Sequence, residues 1–123
     1  MIYKIIKLSI ACLLLLFAAL QFNDPDPVFW IITYFTFTAI CIATLFSYHN
    51  ILHRIAIGFC CLALFYSIYN WPKHWMGFEQ TVLPSIDVEK ARESVGLLLS
   101  ICLTIVCIVL PRPKRSFIFG YNK

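Results

Sequence analysis

Apolar residues along this chain fall into four long blocks, at 5–22, 28–46, 55–71 and 95–110, each closed by polar or proline-containing residues. None alternates with the period of two that marks a barrel strand. With flanking residues added, each approaches or reaches the roughly 20 residues that cross a 30 Å hydrocarbon core as a helix. The hydrocarbon holds no water to pair backbone groups, and a helix pairs them within its own segment. The pattern therefore predicts spans at 4–22, 27–47, 53–71 and 93–110, followed by a short basic tail at 111–123. The expected fold is all-α: one transmembrane domain, an antiparallel four-helix bundle integral to the membrane.

Composition agrees, because 61% of the 123 residues are hydrophobic and 13% charged, too apolar a balance for an ordinary soluble domain. Lys4 and Lys7 ahead of a leucine-rich run give the first block the look of a secretory signal. Its end, "FAALQF", closes on large residues rather than a small-residue cleavage site, and three more spans follow, so an uncleaved helix is expected.

The distribution of charge orients the bundle. Lys4, Lys7, Arg54, Arg112, Lys114, Arg115 and Lys123, seven of the ten basic residues, fall on one side, and Lys73, Lys90 and Arg92 on the other. By the positive-inside rule both termini are cytoplasmic, in a multi-pass protein of the cell membrane (the inner membrane, in a bacterium). All six acids, Asp24, Asp26, Glu79, Asp87, Glu89 and Glu93, fall on the outer side. The basic tail suits anionic lipid headgroups, at around 1 kcal/mol per charge, and no nucleic acid is expected as a partner.

The first two spans are joined by "NDPDP", a connection so short that they must be neighbours. Pro25 disfavours helix at Asp24, Asp26 is placed to cap the second helix, and Pro27 suits its first position. Asp24 adjoins the negative end of the first helix, where a carboxylate is disfavoured unless it finds a cation or donors. His49 and His53 share the second connection without enough neighbouring ligands for a metal site. The long third connection starts at an interface belt of Trp71 and Trp75 and ends in a helix that begins near Ser85 or Asp87. On that helix Glu89, Glu93, Gly96 and Ser100 share a face. The six cysteines lie within the spans, form no C-x-x-C pair and are expected to act as small apolar side chains. No cofactor is expected.

The outer ends of the first, second and fourth helices thus collect Gln21, Asn23, Asp24, Asp26, Arg92 and Glu93, with Glu89 and His74 nearby in sequence. The stretches "QFNDPDPVFWIITY" and "EKARESVGLLL" resemble the transmembrane protein 220 family, small four-helix membrane proteins with an N-D-P-D turn and an R-E-x-x-G-L segment. The resemblance implies a fold and a membrane location, without an established reaction. It adds Pro25, Trp30, Tyr34 and Gly96 to the matching positions, while the middle of the chain and the tail match little.

Two arrangements of these residues are open. In the first, Arg92 grips Asp24 as a bidentate fork and Glu93 accepts from Asn23 or backbone N–H groups, a structural lock in an accessory or interaction subunit of some other membrane protein. In the alternative, Asp24, Asp26, Glu89 and Glu93 bind a divalent cation, or the cluster takes a small polar ligand; Arg92 opposes the cation. No partnered nucleophile, phosphate loop or redox motif accompanies the acids, so no enzyme activity is expected.

Overall fold

The structure, a computed structural model, describes residues 1–24, 26–46, 50–75 and 86–111. Four helices account for most of them: α1 (Ile2–Leu20), α2 (Pro27–Phe46), α3 (Asn50–Tyr69) and α4 (Ile86–Val109). Each is long and apolar enough to cross a membrane. Expected and observed boundaries differ by a few residues. α1 already starts at Ile2 and α3 at Asn50 instead of 53, while α4 begins at Ile86, as expected of a helix that starts near Ser85 or Asp87 ahead of the apolar span from 93. Pro25, His49, Glu79, Ser85 and the basic tail from 112 onward lie outside the described residues, and so do the expectations that rest on them.

The chain leaves α1 through a single 3-10 turn at Gln21–Asn23. The Gln21 side-chain amide donates to the Phe17 carbonyl at 3.2 Å, covering one of the acceptors that a helix end leaves open. Asp24 is extended (φ −77°, ψ 155°), as a residue before proline must be. α2 then starts on Pro27, where a missing N–H leaves no bond unmade.

α1 packs chiefly on α2, and α3 chiefly on α4, while α4 also meets α2 and α1. Leu14, Phe37 and Leu97 form the centre of the core, with Ala11, Ala18, Ala63 and Ala91 allowing backbones to come close. Leu62, Phe65, Ile68 and many other large apolar side chains point outward, as a hydrocarbon surrounding requires. Specific contacts fix the register of each pair. Phe17 of α1 meets Tyr34 of α2 edge to face at 5.8 Å. The Cys41 thiol donates to the Thr104 hydroxyl at 3.8 Å, joining α2 to α4. The Ser67 hydroxyl donates to the Ser94 carbonyl at 3.0 Å, joining α3 to α4.

Lys7 departs from the simple charge count. Instead of standing at the membrane surface it is 1% exposed, and its ammonium donates to the Thr44 carbonyl at 3.4 Å. That carbonyl belongs to the last turn of α2, the negative end of the helix dipole, where a cation is favoured. Its long aliphatic stem lets the residue pack among the helices on the way there.

Candidate functional site

At the Asp24 end of the bundle, three helices enclose a cavity of about 170 Å³. α1 supplies Phe17 and Leu20, the turn that follows it supplies Gln21 and Asp24, and α2 supplies Tyr34. α4 contributes Glu89, Arg92, Glu93 and Gly96, whose spacing of three and four residues sets them on one stripe of the helix. Six of the nine residues expected at the site therefore line one space: Gln21, Asp24, Tyr34, Arg92, Glu93 and Gly96. Glu89 joins them.

The other three lie apart from it. Asn23 is exposed, and Trp30 is buried behind the cavity. Asp26, just ahead of α2, lines a separate open cleft with Phe29, Trp30, Tyr66 and Glu93. Of the four carboxylates proposed as cation ligands, Asp24 and Glu89 line the cavity, Asp26 lines the cleft, and Glu93 borders both. Among the described residues no group of three or more His, Cys, Asp or Glu side chains is arranged to hold a metal ion.

Tyr34 sets the floor of the cavity. Its side chain is 3% exposed, wedged between Phe17 and Trp30. It fits only because position 96 has no side chain. A Cβ built on Gly96 would come within 2.5 Å of the Tyr34 hydroxyl oxygen. Tyr34 also lines the cavity, and among the described residues no buried side-chain nitrogen or oxygen lacks a hydrogen-bond partner.

Glu93 is held from the opposite side. Asn70, just past α3, donates its side-chain amide to the Glu93 carboxylate at 2.6 Å. The Ser94 hydroxyl donates to the Asn70 carbonyl at 3.3 Å. With the Ser67 bond to Ser94, these contacts make a polar seam between α3 and α4. Glu93 therefore bonds to Asn70 and not to Asn23, because Asn23 sits on the outside of its turn. Asp24 and Arg92 face the same cavity, yet no ion pair joins them among the described residues. Arg92 is exposed at the rim.

Sequence reasoning missed Asn70, Ser67 and Ser94. The available signal was Ser67 and Asn70, two polar residues three apart at the end of an otherwise apolar run, which puts them on one helix face.

The family model described as "Transmembrane family 220, helix" matches residues 13–109. The chain belongs to this family. Its match takes in both the turn at Asn23 to Asp26 and the Arg92, Glu93 and Gly96 segment, which α1, α2 and α4 bring to one end of the bundle. It also runs through α3 and the connection after it, so the family 220 assignment extends across the middle of the chain, where little match was expected. The tail beyond 109 lies outside it. No curated protein and no solved structure matches the chain.

Proposed function

We propose that this member of transmembrane family 220 is a non-catalytic protein of the cell membrane that binds a small polar ligand in the cavity between α1, α2 and α4. The observation that carries this reading is the lining of one cavity by Gln21, Asp24, Tyr34, Glu89, Arg92 and Glu93, polar groups of both charges drawn from three helices to a single space.

The helices form an antiparallel bundle with both termini in the cytoplasm and the cavity on the outer side. Supporting this, Lys7 near the start of α1 meets Thr44 near the end of α2, while Phe17 meets Tyr34. The basic residues at the chain ends supply the orientation. A polar lock is still part of the account, moved from Asp24 and Arg92 to Asn70 and Glu93. A small polar ligand is favoured over a divalent cation because Asp26 looks into a different cleft.

A ligand that binds only the folded state raises its stability by mass action. Thermal unfolding of the purified full chain against calcium, amines, amino acids and phosphate esters tests the reading. At least one is expected to raise the midpoint in the native chain and to have no effect in Tyr34→Phe. A panel with no effect on the native chain contradicts it.

The accessory-subunit reading stands second. It draws on a groove of about 220 Å³ between α2 and α3, lined by Phe29, Thr33, Phe59, Leu62, Ala63, Tyr66 and Leu97. A partner's transmembrane helix is the occupant this groove fits. Extraction in mild detergent is expected to yield a complex larger than the monomer, one that Leu62→Trp disrupts. Recovery of the native chain as a lone monomer counts against it.

A further inference from the structure

We infer that Cys41 of α2 and Cys107 of α4 bind one copper(I) ion between their sulfurs, with the Lys7 ammonium of α1 as the charge that balances it. The site lies apart from the cavity at the Asp24 end, and it stands however that cavity is read.

Three helices meet around these residues. The Cys41 thiol donates to the Thr104 hydroxyl at 3.8 Å, which brings α2 and α4 together at this level. Cys107 stands three residues beyond Thr104, on the same face of α4, and its thiol adjoins that of Cys41. On α2, Thr44 stands three residues beyond Cys41 and donates its hydroxyl to the Cys41 carbonyl at 2.7 Å. The Lys7 ammonium reaches the Thr44 carbonyl at 3.4 Å, so a positive charge sits one helical turn from Cys41, and its field acts on both sulfurs. Cys41, Cys107 and Thr104 are each 0% exposed, and Lys7 is 1% exposed.

Thiols packed in a core act as small apolar groups, and an ammonium is a poor neighbour for an apolar group. It is a good neighbour for an anion, and two thiolates that share a copper(I) ion make one. In that step the ion displaces both thiol protons, which pass to water, and two S–Cu bonds form without transfer of an electron. One monovalent cation on two thiolates carries a single negative charge, which the ammonium cancels inside a surrounding where an uncancelled charge is costly. Thr104 serves both states. Its hydroxyl hydrogen rotates, so the oxygen that accepts from the Cys41 thiol becomes a donor to the thiolate.

Soft thiolate ligands select copper(I), zinc and iron–sulfur clusters. Zinc and the clusters take four ligands, and among the described residues no group of three or more His, Cys, Asp or Glu side chains is arranged to hold a metal ion. Copper(I) is satisfied by two sulfurs in a line. A disulfide is the other product that adjacent thiols give, but it is neutral and gains nothing from the ammonium. The pair joins two helices far apart in the sequence, so no C-x-x-C spacing announces it. The expectation that all six cysteines are apolar filling therefore does not extend to these two.

The test is anaerobic titration of copper(I) from bathocuproine disulfonate into the full chain in detergent, followed by X-ray absorption at the copper edge. The native chain is expected to hold one copper(I) at its tightest site, with two sulfur neighbours. Cys41→Ala and Cys107→Ala are each expected to abolish that site, while Cys12→Ala and Cys102→Ala, at exposed positions, leave it unchanged. Lys7→Met is expected to weaken it roughly tenfold or more, as loss of a group just outside a ligand set does. Circular dichroism establishes that the helices persist in each variant, and where they do not, the sulfur count in the native chain decides alone. Copper held no more tightly by the native chain than by Cys41→Ala overturns the inference. Nitrogen or oxygen neighbours in the native spectrum overturn it as well. So does a disulfide between Cys41 and Cys107 in freshly isolated chain that takes up no copper(I) after reduction.

Discussion

The Tyr34 hydroxyl occupies the volume that any side chain at position 96 would need. Gly96→Ala therefore drives a methyl into the end of a buried, rigid ring, and overpacking of this kind costs about 1–3 kcal/mol. Tyr34→Phe removes the clashing oxygen and leaves the ring carbon that bore it at 3.7 Å, an ordinary contact. The double variant Tyr34→Phe with Gly96→Ala is expected to regain most of the stability that Gly96→Ala loses, measured by reversible unfolding in mixed micelles. Additive losses contradict the contact.

Asn70 and Arg92 separate two locks. Asn70→Ala strips the half-buried Glu93 carboxylate of a 2.6 Å hydrogen bond, a loss of about 1.5–3 kcal/mol for a bond to a charged group. Arg92→Ala, at an exposed residue without an ion pair to Asp24, is expected to change stability by no more than about 0.5 kcal/mol in the absence of ligand. The reverse order in the same unfolding assay places the lock at Arg92.

Lys7 stabilises the opposite end of the bundle. Lys7→Ala deletes a buried stem and leaves the Thr44 carbonyl without its ammonium donor, for an expected loss of about 2 kcal/mol or more. Lys7→Met keeps the volume and is expected to recover more than half of that loss, since a packed apolar side chain replaces a buried charge at little net change. Equal loss in both variants makes the hydrogen bond, and not packing, the dominant contribution.

Topology is checked by labelling with a membrane-impermeant maleimide. In a cysteine-free background, Lys73→Cys, at an exposed position beyond α3, is expected to react in intact cells. Lys4→Cys is expected to react only after the membrane is opened. The opposite pattern inverts the bundle.

The four helices were legible because nothing except a spanning helix accommodates apolar runs of this length. The bend at Asp24 was legible too, because proline restricts the residue before it. Glu89, Arg92, Glu93 and Gly96 could be placed on one stripe from their spacing alone, and Gly96 does make room for a neighbouring helix. What spacing does not encode is which partner a polar group finds across the bundle. Asn23 and Asn70 are both asparagines at helix ends, and only the packing of α3 on α4 turns Asn70 toward Glu93. The burial of Lys7 was not legible because a charge count assigns a lysine to one side of the membrane without naming its partner, here the Thr44 carbonyl at the end of α2. The Asp24 and Arg92 pairing failed for a related reason. Opposite charges brought to one cavity are not thereby in contact.

The separation of Asp24 and Arg92 is the most direct test of the ligand-site account. Rotational-echo double-resonance NMR of the full chain in bilayers, with labelled aspartate carboxylates and arginine guanidinium nitrogens, reads it. The account predicts no dipolar contact at ion-pair distance between these two residues, with or without a bound ligand. A direct contact that disappears in Asp24→Asn contradicts it, because the clasp would then fill the space assigned to the ligand.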